Sequence, residues 1–416
     1  MTPTKNPPIN GDELSDRPAL PFGEFVALMA MMISLVALSI DAMLPALAEI
    51  GRDLGLQRDN DRQLIISLLF GGMAIGQMLY GPLSDSTGRK PVIYAGYVLF
   101  IIGCLLSICA TRFSMMLTGR LLQGIGAAGP RSVVVAVIRD QYHGRAMARV
   151  MSLIMSVFIL IPVIAPTFGQ GILAISHWRG IFGAFLVLAV IAFVWFGKRQ
   201  PETLLPNRRL RFSVKRIAVT VGQVCTHRVA VGYTIAAGLI SGAFLGYLSC
   251  SQQILQEQYG LGTRFPLFFA VLAAAIGSAS YLNSHLVMRY GMQRLVRWSS
   301  QALSGLAIVF FAIAYALSGN PPLWMLMTFF LSSFFCVGIL FGNLNSLAME
   351  PLGHIAGVGA TVVGSLSTFL SVPLGTLIGQ GYNGTILPLV GGFALLSPLA
   401  VIAVRLAGGR KSLEES

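Results

Sequence analysis

Three ionisable side chains stand inside stretches otherwise built almost wholly from apolar and small residues. Asp41 lies in Leu38-Ser39-Ile40-Asp41-Ala42-Met43-Leu44-Pro45, and Arg120 and Arg131 flank Leu-Leu-Gln-Gly124-Ile-Gly126-Ala-Ala-Gly129-Pro130. A charge held among hydrocarbon is costly unless a counter-ion or a proton removes it, so such residues mark ion or proton chemistry. Asp41 is the one carboxylate so placed, which points to proton-coupled transport. Arg120 and Arg131 are eleven residues apart. That spacing advances a helix by about 16 Å and returns to nearly the same face, so the two share a side at different depths. With the first apolar segment running outward and the fourth inward, Asp41 and Arg120 reach matching depths. They are expected to form one proton-sensitive switch, the alternative being a static ion pair. Arg131, after Pro130, then has no intramembrane acid left to neutralise it. It either engages an anionic group of a substrate or snorkels toward the nearer interface.

The elements that must hold these groups follow from composition. With 55% hydrophobic and 11% charged residues over 416, the chain departs from soluble domains, where about 25% are charged. Twelve apolar stretches, near 22–46, 62–83, 92–110, 113–137, 146–174, 178–197, 229–252, 264–288, 296–318, 323–348, 355–381 and 386–406, are long enough to cross a bilayer. The expected fold is an all-α membrane protein. A net charge of +13 would suggest nucleic acid in a soluble protein, but here 21 Lys and Arg fall on one side and six on the other. The positive-inside rule therefore puts both termini in the cytoplasm and makes the lipid bilayer, not nucleic acid, the surrounding partner. Five cysteines, Cys104, Cys109, Cys225, Cys250 and Cys336, have no ligand-like spacing and read as packing residues.

A basic linker at 198–228 divides residues 22–197 from 229–406, two six-helix bundles, with tails at 1–21 and 407–416. Part of the linker, from Phe212 to Arg228, mixes apolar and basic residues and could lie as a helix on the cytoplasmic surface. The turn Gly81 to Lys90 recurs in shortened form as Met288-Arg289-Tyr290-Gly291, the mark of a repeated half with a cavity between. In the first copy Gly81 and Gly88 permit close approach and a tight turn, while Asp85 can cap a helix or pair with Arg89. Pro162, Pro166, Gly169 and Gly171 interrupt the fifth segment and suit a bend or a close helix contact. Gln77, Tyr80, Tyr247, Gln252, Gln253, Asn343 and Asn345 could line the cavity or bond helix to helix. His285 and His354 read as interfacial. No phosphate loop and no metal-ligand cluster is present, so neither ATP nor another cofactor is expected beyond the proton.

Together, Asp41-x-x-Leu44-Pro45, Gly81 to Lys90, Arg120 to Gly126 and Pro162 to Gly171 resemble the motifs of the major facilitator superfamily, in particular its twelve-helix drug:proton antiporters. The similarity is greatest to the bicyclomycin and chloramphenicol/florfenicol resistance branch. The resemblance implies two pseudo-symmetric six-helix bundles working by alternating access in a bacterial inner membrane. It makes Asp41 the proton-responsive acid and Arg120 its coupling partner. By the same resemblance Gly81, Asp85, Gly88 and Arg89 form a cytoplasmic gate, and Pro162, Pro166, Gly169 and Gly171 the antiporter motif. A monomeric, non-enzymatic exporter of small hydrophobic compounds is expected. The alternative is a carrier of an anionic metabolite or siderophore-like compound engaged by Arg131. Three features depart from the pattern: Ile33 stands where some relatives place a second acid, Pro130-Arg131 replaces small or apolar residues, and the second half's turn has Met288 in the place of the Asp.

Overall fold

The computed structural model describes residues 20–408, and those residues are helical with no strand. Apart from 20–21 and 407–408, the expected tails at 1–21 and 407–416 lie outside the described residues, as does the side chain of His354. In chain order the helices are α1 (Phe22–Asp41), α2 (Leu47–Asp53), α3 (Leu64–Thr87), α4 (Arg89–Ile108), α5 (Phe113–Gln141), α6 (Gly144–Ile175) and α7 (Trp178–Arg199), followed by α8 (Val214–Thr226) in the linker. Then come α9 (Arg228–Ser251), α10 (Phe265–Tyr290), α11 (Met292–Ala316), α12 (Leu323–Met349), α13 (Ala356–Gln380) and α14 (Leu387–Gly408). Among the described residues twelve helices are long and apolar enough to cross a membrane, α2 continuing the span of α1.

The first span is not one straight rod. α1 stops at Asp41, and Leu44–Ala46 forms a single 3-10 turn before α2 resumes. Pro45 explains the break: it has no N–H to give and disfavours helical geometry at Leu44. Asp41 therefore closes α1, whereas the apolar stretch 22–46 would carry the helix five residues past it. α6, by contrast, stays helical through Pro162 and Pro166. Each proline removes one N–H, leaving the carbonyls of Phe158 and Pro162 without their usual intrahelical partner.

Small residues set how closely the helices pack. α5 runs between α3 and α4, and a side chain on Gly124 would collide with the Leu69 carbonyl of α3, one on Gly126 with the Phe100 backbone of α4. In the other half, Gly238, Gly242 and Gly246 of α9 face Leu370, Leu374 and Ile378 of α13. Both seams use glycine at helix-face spacing to let helices approach without a cavity. The halves meet where α3 packs on α13 and α6 on α10. The two related turns also match in backbone: Gly88 and Gly291 both have positive φ, +111° and +77°, a region that other residues enter only with strain. In the linker α8 begins at an Ser213 cap that accepts the Arg216 amide at 3.2 Å. Cys104, Cys250 and Cys336 are buried, but Cys109 and Cys225 are exposed, against the expectation that all five pack inside.

Candidate functional site

Arg120 is fully buried at the meeting point of four helices. Its guanidinium donates to the Ser39 carbonyl of α1 at 3.0 Å, to the Ile65 carbonyl of α3 at 3.2 Å and to Gln123 Oε1 at 2.6 Å. Gln123 in turn donates to Ser107 of α4 at 3.1 Å, and the Phe182 ring of α7 lies 5.8 Å from the guanidinium carbon. A planar, five-donor cation suits this fan of acceptors, where a single ammonium would not.

The depth match holds, because Arg120 binds the backbone two residues before Asp41. The expected ion pair does not: among the described residues Asp41 has no salt bridge and no hydrogen bond, although it is only 5% exposed. The reason is angular. Two residues turn a helix by roughly 200°, so the Asp41 side chain leaves α1 on another face than the carbonyl Arg120 holds. Across the boundary between the halves, Asp41 has Tyr247 of α9 as an electrostatic neighbour. The Tyr247 hydroxyl is buried and unbonded, and its ring packs among Phe269, Phe330 and Phe334, the last centred 4.7 Å away.

Gly169 carries α6 into this corner. A side chain there would overlap the carbonyl of Ala42, the residue after Asp41, so α6 crosses α1 with backbones touching. Gly171 has open space beside it and supports no such contact, contrary to expectation. Pro166 is buried and Pro162 half-buried in the same stretch.

At the basic end, Arg89 donates to Asp85 at 2.6 Å and to Asp140, near the end of α5, at 3.0 Å. Glu202 of the linker accepts the first two backbone N–H groups of α4, from Arg89 and Lys90, each at 2.9 Å. An acid at that position satisfies orphan donors and faces the positive end of the helix dipole. Leu210 N–H donates to the Asp85 carbonyl at 2.8 Å, so the linker is stitched onto the turn. Gly81 abuts Thr361 of α13. Asp140 and Glu202 escaped the sequence reading; an acid closing a span and a Pro-Glu step after another were the available signals.

Arg131 is exposed, and among the described residues it has no hydrogen bond or ion pair. Gln77 lies beside Gly364 of α13, at the boundary of the halves. Asn343 is no open cavity group: it donates to Asn283 of α10 at 2.8 Å and to its own helix at Ile339. Asn345 is exposed and donates to Phe341 within α12. Gln252 opens a π-helical turn, Gln252–Gln258, away from Arg131 and toward the opposite end.

That opposite end is tied shut. Arg62 makes a two-pronged pair with Glu257 at 2.8 and 2.6 Å. Gln63 bonds Gln253, Gln253 reaches Asn60 at 2.9 Å, and Asn60 and Gln380 exchange bonds at 3.0 and 2.8 Å. Thr376 donates to Ser67 at 2.8 Å. Among the described residues every hydrogen bond between the two halves belongs to this set, with Asn60 to the Tyr382 carbonyl completing it. None joins them at the basic end.

The family model described as Major Facilitator Superfamily matches residues 25–376. The chain is 27% identical over 385 residues to a bicyclomycin resistance protein homolog of Haemophilus influenzae, covering 90% of this chain and 94% of that one. It is likewise 27% identical over 385 residues to multidrug resistance protein D of Escherichia coli, covering 88% and 93%. Among solved structures it is similar to the xylose transporter XylE of E. coli, with a TM-score of 0.68, 12% identity and coverage of 92% and 96%.

Proposed function

Because the chain belongs to the major facilitator superfamily, a family of membrane transporters, we propose that it is a proton-coupled exporter of small hydrophobic compounds. The observation that carries this reading is the unpaired Asp41 carboxyl. It is buried at the end of α1, beside the Gly169 crossing of α6. An acid with no fixed cation is free to exchange a proton when the halves move, and that motion changes its surroundings. The names of the relatives, a bicyclomycin resistance homolog and a multidrug resistance protein, support export of drug-like molecules.

In this reading Arg120 is the positioning residue that fixes the α1 backbone next to the acid. Asp85, Arg89 and Asp140 hold the basic end, which faces the cytoplasm of a bacterial cell with both termini. The monomer is the working unit, since two halves alone enclose the path. Arg131 meets the polar or anionic edge of the compound in the cavity, and Tyr247 with its phenylalanines supplies the apolar wall.

The decisive measurement is drug efflux from proteoliposomes under an imposed pH gradient. Asp41→Asn is expected to abolish gradient-driven efflux while leaving drug exchange without a gradient intact. Undiminished uphill transport by Asp41→Asn would overturn the assignment.

A further inference from the structure

The linker between the two bundles carries charge of one sign. From Glu202 to Glu257 the sequence has no acidic residue, while Arg208, Arg209, Arg211, Lys215 and Arg216 crowd into residues 208–216. Among the described residues the side chains of Arg208, Arg211, Lys215 and Arg216 are exposed and make no hydrogen bond or ion pair. Between these cations stand exposed apolar groups. Phe212 is 44% and Val214 68% exposed, and Leu210 and Val219 are exposed as well. Bases interleaved with large apolar side chains are the pattern of a segment that lies on a charged interface.

What the linker packs on fixes its depth. α8 buries Ile217, Thr220 and Val224, spaced to share one helix face, and packs on α13 and α9. Ahead of it, Leu210 is bonded to the Asp85 carbonyl, and Phe212 and Ile217 share a narrow notch with Pro82 of α3 and Val358 of α13. Asp85 lies two residues from the end of α3, and Val358 two from the start of α13. These helices have 24 and 25 residues. At that length they run about 36 Å against a hydrocarbon core of about 30 Å, so their terminal turns stand among the headgroups. The linker is thereby held at headgroup depth at the basic end.

We propose that residues 208–219 dock on the anionic phospholipids of the adjoining leaflet. Arg208, Arg211, Lys215 and Arg216 pair with lipid phosphates, while Phe212 and Val214 enter the boundary between headgroups and acyl chains. Charge complementarity selects this occupant: cations without partners, in a stretch without acids, meet a surface whose anionic lipids attract each nearby Lys or Arg. Because the same segment is bonded to α3 and packed on α13, the bilayer surface supports both halves at the end where, among the described residues, no hydrogen bond joins them. Neither Asp41 nor Arg131 takes part, so the inference stands apart from what the central path carries.

The test compares the purified full chain in nanodiscs of phosphatidylcholine alone and in discs with a third of that lipid replaced by phosphatidylglycerol. Amide hydrogen exchange is followed in 208–219, with 252–258 at the opposite end as reference. Phosphatidylglycerol is expected to slow exchange in 208–219 by more than about fivefold, the contribution of one cation near an anionic surface, and to leave 252–258 unchanged. Salt at about 1 M, where the Debye length is about 3 Å, should remove the difference. Arg211→Gln should give back about fivefold of the protection, and Arg211→Lys should retain it. A variant combining Arg208→Gln, Arg211→Gln, Lys215→Gln and Arg216→Gln should exchange alike in both discs. Equal exchange of the native chain in both discs, protection that outlasts the salt, an undiminished response in the combined variant, or equal slowing in 252–258 would each overturn the proposal. So would equal protection by free glycerol phosphate in phosphatidylcholine discs, which would make the ligand a soluble anion and not the bilayer.

Discussion

Single residues here do work that their neighbours in sequence do not announce. Arg120 is legible as a costly buried cation, but its ligands are not, because backbone carbonyls such as those of Ser39 and Ile65 have no sequence signature. The expected Asp41 partnership failed for a related reason: spacing sets matching depth but not matching azimuth, and Arg120 holds the Ser39 carbonyl while the Asp41 side chain leaves α1 on another face. Arg120→Met should leave carbonyls on two other helices without their donor. Hydrogen bonds to a charged group contribute about 1.5–3 kcal/mol each, so thermal unfolding of the purified protein should show a loss on the order of 3 kcal/mol. Arg120→Lys should recover only part of it, since one ammonium cannot reach three acceptors in a plane. At Arg131 the outcome should depend on the cargo. Arg131→Ala is expected to reduce transport of anionic drugs more than that of neutral ones, measured as resistance in an efflux-deficient host; equal losses would remove the residue from the binding surface.

At the scale of elements, the periodic apolar stretches gave the spans closely. The hidden features are the breaks and the crossings. α1 and the Leu44–Ala46 turn read as one apolar stretch, 22–46, and only Pro45 betrays the break between them. The α1 to α6 crossing rests on one absent side chain. Gly169→Val must separate the two backbones or distort them, and overpacking of this sort costs about 1–3 kcal/mol. We expect Gly169→Val to eliminate efflux and Gly171→Val, which has open space, to leave it near wild type, in the same vesicle assay. At the basic end Asp140 and Glu202 were missed because they meet Arg89 from 51 and 113 positions away. No local pattern encodes such a meeting. Glu202→Gln keeps the acceptor geometry but removes the charge facing the α4 helix end, worth about 0.3–1 kcal/mol. Hydrogen exchange at the start of α4 should therefore rise by severalfold at most.

For the whole molecule, the two helical bundles followed from the apolar stretches and repeated turns, while the bonding between the halves did not. Asn60, Arg62, Gln63, Gln253, Glu257 and Gln380 look like ordinary loop-end residues until the fold brings the ends together. Their arrangement is one-sided: among the described residues the hydrogen bonds between the halves all lie at a single lip. Glu257→Gln should weaken that fastening, seen as faster exchange in 252–258 and a larger population open at that end. The one-sidedness also makes the resting shape answerable to the fluid on one side alone. The Glu257 side chain is 43% exposed, and such pairs are screened once the Debye length falls to about 3 Å at 1 M salt. Salt added to that compartment only should loosen the lip, and the same salt on the other side should not. The ionic strength of the medium at that end would then set how readily the carrier turns, as a weather vane answers to wind from one quarter.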